Sequence, residues 1–501
     1  MTHPSSPQTS SPQTSSPQTA SPQTASPQTA SPQTASPQTA SPQTASPQTS
    51  SPQHATDEAR VRADDRSHVF HSWSAQAQID PLPIASALGS YFTDYTGKRY
   101  LDFSSQLVNL NIGYQHPKLV AAIQEQAAKL CTISPGFAND ARGEAARLIA
   151  EIAPGDLNTV FFTNGGADAN ENAIRMARLH TGRHKILAAY RSYHGATAGA
   201  IALTGDPRRW ACEPGLPGIV RYWGPYAYRS AFHATTEQEE SDRALSHLRD
   251  LLMVEGSHTV AAIILETVVG TNGILVPPPG YLAGVRALCD EFGIVMIADE
   301  VMAGFGRCGE WFAVDRWSVT PDLITFAKGV NSGYVPLGGV LISDPIAATF
   351  ADRAYPGGLT YSGHPLACAS AVASINIFRE EGIIDHARWL GTDVIGPELR
   401  ALAERHPSVG EVRGLGVFWA LELVRDRETR EPLVPFNAVG AQAKPMAEFA
   451  AACKDRGVWP FVHFNRTHVV PPCTTSADEI REGIAVLDEA LKVADTYYTG
   501  S

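Results

Sequence analysis

The chain is 501 residues long, with a formal net charge of -12, 43% hydrophobic and 18% charged residues. That acidity argues against a non-specific nucleic-acid binder, and no apolar run approaches the length of a membrane-spanning helix. Seven scattered cysteines, odd in number and without paired metal-ligand spacing, fit reduced thiols in a cytoplasmic protein with no metal site.

The N-terminus shows neither a signal nor a transit peptide. From Ser6 to Gln53 a five-residue unit, Ser-Pro-Gln-Thr-Ala/Ser, recurs without charge and almost without apolar side chains. Such a tract cannot bury enough surface to offset ordering entropy, and proline at every fifth position blocks a helix. Residues 1–66 therefore read as a disordered leader. The remaining roughly 430 residues can bury about three quarters of their unfolded surface and usually split into more than one domain.

Gly89 to Asp102 reads as a hairpin with Thr96-Gly97 at its turn. Thr159–Thr163 reads as a buried strand, followed by Asn164-Gly-Gly166 and a helix from Ala167 to Leu179. Further strands are expected at Lys185–Ala189, Val260–Leu265, Ile294–Ala298, Leu323–Phe326, Gly339–Ile342 and, later, Gly416–Leu423. Near-continuous apolar strands separated by helices predict an α/β fold with a mainly parallel sheet covered on both faces. We expect a large domain over 115–375 and a smaller α+β domain built from 67–114 and 376–501.

Three places could carry chemistry. Asn164-Gly165-Gly166-Ala167 sits between strand and helix, where backbone N–H groups and the helix dipole can hold an anion, although an ordinary tight turn has the same sequence. Asp299-Glu300 closes an apolar strand at the edge where open α/β sheets bind ligands, or is a solvated strand end or helix cap. Lys328 directly follows the strand Leu323–Phe326, as an activated amine or as a lysine reaching for the surface. Taken together, an anion cradle, a carboxylate and a lysine at one sheet edge are the fixtures pyridoxal phosphate needs.

These residues resemble the class III aminotransferases of fold type I. The likeness spans about Ser67 to Leu491 and is carried by ordered motifs: Asn164-Gly-Gly-Ala-Asp-Ala-Asn-Glu-Asn172, Ser192-Tyr-His-Gly195, Glu266-Thr-Val-Val-Gly270, Asp299-Glu-Val-Met-Ala-Gly-Phe-Gly-Arg307, Thr325-Phe-Ala-Lys-Gly329 and Thr360-Tyr-Ser-Gly-His-Pro365. The resemblance implies a pyridoxal 5'-phosphate enzyme in which Lys328 holds the cofactor as a Schiff base and then moves the substrate proton. It implies that Asp299 pairs with the pyridinium nitrogen, Tyr193 and Val301 pack the two ring faces, and Glu266 supports the ring region. Gly165, Gly166 and Ala167 would cradle the phosphate, and Thr360 would reach the phosphate of a neighbouring subunit, so a homodimer with shared sites is implied. Arg413 matches an arginine that receives a substrate carboxylate.

Departures from the family pattern bear on specificity. Met302 stands where many 2-oxoglutarate-using members have Gln, which points to the ω-amino-acid and amine branch, and Thr271 stands where some have a second Glu that can neutralise the carboxylate-binding arginine. Val108 stands where several of those carry Trp, and Trp73, Phe461 and His463 are pocket candidates by neighbourhood. The expected reaction moves an amino group from an ω-amino acid or amine, with taurine- and β-alanine-like donors included, to pyruvate or 2-oxoglutarate. An aminomutase, decarboxylase or racemase of the same fold is the alternative. A dinucleotide-binding dehydrogenase is disfavoured, because Asn164-Gly-Gly166 lacks Gly-x-Gly-x-x-Gly spacing and Lys328 would have no role.

Overall fold

The computed structural model describes residues 52–500, with side chains from Thr56 onward. Most of the repeat, and the disorder expected for it, lies outside the described residues. The disordered leader was expected to run to residue 66, but Pro52–His68 is a helix. The reason is a composition change after Gln53: Ala, Asp, Glu and Arg replace the repeat, and Glu58–Arg62 and Arg60–Asp64 pair one turn apart at 3.2 and 3.6 Å.

Seven strands form the central sheet: β1 (Thr159–Thr163), β2 (Lys185–Ala189), β3 (Ile219–Tyr222), β4 (Val260–Glu266), β5 (Val295–Asp299), β6 (Leu323–Phe326) and β7 (Gly338–Ile342). Their spatial order is β1-β7-β6-β5-β4-β2-β3. Only β7 runs antiparallel to its neighbours, so the expectation of a mainly parallel sheet holds. Every residue of β4, β5, β6 and β7 is buried. Alternate residues serve the two faces. Ile186, Ile264 and Ile297 pack with the helix Gly166–Thr181, whereas Leu187, Ile263 and Met296 pack with helices Glu237–Glu255 and Tyr281–Phe292. This two-sided covering explains why the strands read as unbroken apolar runs rather than alternating ones.

Two smaller sheets stand apart. Strands Ile84–Leu88, Tyr91–Asp94 and Arg99–Asp102 form the expected hairpin region, and Arg99–Asp102 pairs in parallel with Val458–Trp459 from the far end of the chain. The turn closes because Asp94 Oδ1 accepts from the N–H groups of Thr96 and Lys98 at 2.9 and 3.0 Å, and Gly97 takes a φ of 86° that glycine tolerates. Val409–Leu415, Phe418–Asp426, Arg466–Val469 and Phe461–His463 build the other sheet.

Arg307 ties these parts together. Its guanidinium is fully buried and, among the described residues, without a carboxylate partner, and burial lowers its pKa. It donates to Asn111 Oδ1 (2.8 Å), Ser105 Oγ (3.3 Å), the Val417 carbonyl (3.2 Å) and the Pro471 carbonyl. One side chain thus joins the N-terminal loop and two C-terminal segments to the loop after β5. Arg307→Met is expected to lower stability by about 3 kcal/mol or more, since each buried acceptor left unpaired costs about 1–3 kcal/mol. Urea unfolding measures this, and a loss under about 1 kcal/mol would mean the acceptors find other donors.

Candidate functional site

The parallel register brings the acids together. Glu266 on β4 lies opposite Asp299 on β5, which lies opposite Thr325 on β6. All three strands run the same way, so their carboxyl ends share one edge, the crevice where such sheets place ligands. β1 points the same way and delivers Gly165 and Gly166 to that edge before the helix begins.

Asp299 is 3% exposed and, among the described residues, has no lysine or arginine partner. Its Oδ2 accepts from Asn170 Nδ2 (2.9 Å) and meets His194 Nδ1 (2.7 Å), and its Oδ1 accepts from the Val301 N–H (3.1 Å). Asn170 is itself held by the Thr325 hydroxyl at 2.8 Å. Burial works to lower the pKa of His194, but the hydrogen bond and charge of Asp299 outweigh it and the net direction is up. Burial lifts Glu266 to about 7, with the Asp299 charge adding and His194 opposing. Glu266 also accepts from the N–H groups of Tyr193 (2.9 Å) and Gly270 (2.8 Å), and so fixes the loop that carries Tyr193.

Lys328 follows β6 in a left-handed conformation, φ 47°, which is costly for a residue with a Cβ and aims it out of the strand. Among the described residues its Nζ has no hydrogen-bond partner. Burial lowers its pKa to about 8, with Asp299 and Glu266 opposing and Arg208 and Arg307 adding repulsion. Gly166 lies against Val301: a Cβ there would come within 2.7 Å of a Val301 methyl. Gly165 faces open space, with nothing within 4 Å of where its Cβ would stand, and the first helical N–H groups beside it lack intrahelical acceptors. An open anion cradle, a buried carboxylate without a lysine or arginine ion pair and an amine of lowered pKa fit pyridoxal phosphate in its three demands.

Other expected residues lie differently. Val108 is buried in a cluster with Ile274 and Phe418, with Met302 and Phe461 against it. Trp73 is 65% exposed and Thr360 is exposed, so a single chain brings neither into the site. Arg413 was expected to receive a substrate carboxylate, but its guanidinium is already engaged: Nε donates to the Gly273 carbonyl (2.7 Å), Nη1 meets Glu411 and Nη2 lies 2.9 Å from Glu422. Glu411 and Glu422 are paired across two antiparallel strands, and they supply the neutralising charge that Thr271 cannot.

The sequence reading missed Arg208. Its guanidinium lies 3.6 Å over the Tyr193 ring and is close enough to Lys328 to repel its charge. Asp206 binds Nε and Nη2 of Arg208, and among the described residues Nη1 has no acceptor. His463 is sensed by the same pair, and burial, with Arg208 repulsion, lowers it to about 4, so it is neutral at pH 7. Among the described residues no cluster could hold a metal ion, and no helix is long and apolar enough to cross a membrane.

Comparison with known proteins converges on one family. The family model for aminotransferase class III matches residues 73–491. The chain is 34% identical to Escherichia coli 4-aminobutyrate aminotransferase over 427 residues, 83% of this chain and 95% of that one. A solved taurine:2-oxoglutarate aminotransferase from Bifidobacterium kashiwanohense, in complex with PLP and glutamate, aligns with a TM-score of 0.85 at 42% identity, covering 88% of this chain and 98% of that chain. An (S)-enantioselective ω-transaminase from Thermomicrobium roseum aligns at 37% identity and TM-score 0.82, covering 87% and 98%.

The lowered pKa of Lys328 sets a pH dependence. A depressed lysine is neutral above its folded pKa, and only the neutral amine adds to a carbonyl. Reconstitution of cofactor-free protein with pyridoxal phosphate should therefore speed up as pH rises and level off above about 8. A rate still climbing at the ordinary lysine pKa of about 10.4 would contradict this.

Proposed function

We propose, for a chain that belongs to the class III family of pyridoxal-phosphate-dependent aminotransferases, that its amino donor is a short ω-amino acid whose distal acid rests on Arg208. The observation that carries this reading is the contrast between two arginines. Arg413 donates Nε to Gly273 and Nη1 to Glu411 and is ion-paired with buried Glu422 at 2.9 Å, whereas Arg208 has Asp206 as its carboxylate partner and, among the described residues, no acceptor for Nη1 beside Tyr193. Pulling Arg413 from a buried pair costs about 3–5 kcal/mol; a carboxylate or sulfonate reaches Arg208 without that cost. The taurine and 2-oxoglutarate of the Bifidobacterium relative supply the donor and acceptor classes for this chain, with β-alanine-type donors and pyruvate as further members.

Bound pyridoxal phosphate supplies the electron sink that makes a C–H bond beside nitrogen breakable. In this reading Lys328 carries the cofactor and then moves a proton at the donor carbon, a task its pKa of about 8 suits near neutral pH. Asp299, oriented by Asn170 and His194, would pair with the pyridinium nitrogen. Gly165, Gly166 and Ala167 would hold the phosphate, Tyr193 and Val301 would pack the ring, and Glu266 holds the Tyr193 loop. Trp73 and Thr360, exposed in one chain, fit a homodimer in which each copy completes the other's site. The division into 115–375 and a two-ended smaller domain is supported by the shared sheet of Arg99–Asp102 and Val458–Trp459. Free cysteines, five of them buried, fit a cytoplasmic protein.

Steady-state kinetics test the donor assignment. With taurine and 2-oxoglutarate, double-reciprocal plots should be parallel, as a two-stage transfer requires. Arg208→Gln should raise KM for taurine about tenfold or more, equivalent to ~1.4 kcal/mol, and leave KM for 1-phenylethylamine, which has no acid, unchanged. An equal change for both donors would refute the role of Arg208.

A further inference from the structure

Near Arg208 the surface folds into a cavity of about 380 Å³, within the range of small-molecule sites. Lys328, Asp299, Tyr193, Glu266 and Arg208 do not line it. Asn272, on its wall, donates to Asp206 at 3.1 Å, and Asp206 pairs with Arg208, so the cavity lies one ion pair from the donor arginine.

Its charge is one-sided. Arg191, Arg209, Arg229 and Arg466 line it and no carboxylate does. Arg209 is matched by Glu213 at 2.8 Å. Arg229 and Arg466 share a single carboxylate, Glu422, which also serves Arg413. Nη2 of Arg229 is buried without a partner. Arg191 has no carboxylate and, among the described residues, no acceptor for its guanidinium; it lies against the rings of Trp223 (5.4 Å) and Tyr226 (4.9 Å). Burial lowers its pKa, with Arg466 and Arg229 adding repulsion. Its backbone is left-handed, φ 62°, fixed by a bond from its N–H to the Gly205 carbonyl at 3.2 Å. A Cβ on Gly205 would stand 2.2 Å from the Ala189 carbonyl, so that approach requires glycine. A strained, half-buried and unpaired guanidinium costs stability that a bound anion would offset.

The remaining wall is aromatic. Tyr190 and Trp223 lie 4.7 Å apart, and Trp210 and Phe436 stand 51% and 60% exposed at the rim. Large exposed rings beside the unpaired Arg191 and an under-neutralised arginine cluster favour a ligand with an apolar plate and an acid.

We propose that this cavity binds a small aromatic anion, its acid on Arg191 and Arg229 and its ring against Trp223 and Phe436.

Naphthalene-2-sulfonate is a suitable probe, since it carries neither amine nor carbonyl and cannot turn over. Calorimetric titration of the holoenzyme should give saturable binding of one probe per chain. Arg191→Gln should weaken it about tenfold or more, the scale of one charge-assisted contact. Phe436→Ala, at an exposed rim position that leaves the core intact, should weaken it as well. Arg208→Gln should leave it unchanged. Absence of saturable binding, full affinity in Arg191→Gln and Phe436→Ala, or loss in Arg208→Gln would overturn the proposal; the last would put the probe in the donor pocket.

Discussion

Asp299 is a buried carboxylate with no lysine or arginine in direct ion-pair contact among the described residues, and the site is organised around that fact. Removing such a charge from water costs several kcal/mol unless neighbours compensate. Here the neighbours are an amide, an imidazole and one backbone N–H, all on the same two oxygens. They fix the direction of the charge. A cation arriving from the crevice, such as a protonated pyridine ring, therefore gains more than it would at a solvated aspartate. The β4–β5–β6 register is what places this charge between Glu266 and Thr325, and Thr325 holds Asn170, which holds Asp299. Lys328, two residues beyond β6, follows from the same register.

The acids and arginines beyond this centre divide into spent and available charges. Glu422 is fully buried, and Arg413, Arg466 and Arg229 hold its pKa far below the usual carboxylate range against the desolvation that would raise it. That cluster locks the strands behind the pocket. Arg208 stands outside it, half satisfied by Asp206 and stacked on Tyr193. A substrate acid thus meets a cation that already touches the ring-stacking residue, which couples donor recognition to the position of Tyr193.

Much of this was readable from the chain. β4, β5 and β6 appear as apolar runs because they are covered on both faces, and their ends fall within a residue of the expected positions. Gly165, Gly166, Asp299 and Lys328 could be named because each sits at a strand end, where periodicity stops and chemistry starts. The helix Pro52–His68 was missed because the repeat's character was extended past Gln53, where the composition had already changed. The state of Arg413 was not legible: Glu411 is two residues away, but Glu422 meets it only through an antiparallel register that no local pattern encodes. Arg208 was hidden for the same reason, since its stacking on Tyr193 depends on how the loop after Leu203 folds back. Asn170 and His194 lay inside quoted motifs, yet their convergence on one oxygen of Asp299 is a tertiary fact.

The central claim is that Lys328 carries the cofactor of an amino-group transfer, and an absorbance spectrum tests it most directly. The purified protein is scanned before and after addition of taurine, β-alanine and simple amines, with no oxo acid present. The account predicts a visible band of bound pyridoxal phosphate that bleaches with an ω-amino donor, and that is missing from Lys328→Ala supplied with the cofactor. A band that persists with every donor, or that survives unchanged in Lys328→Ala, would contradict it.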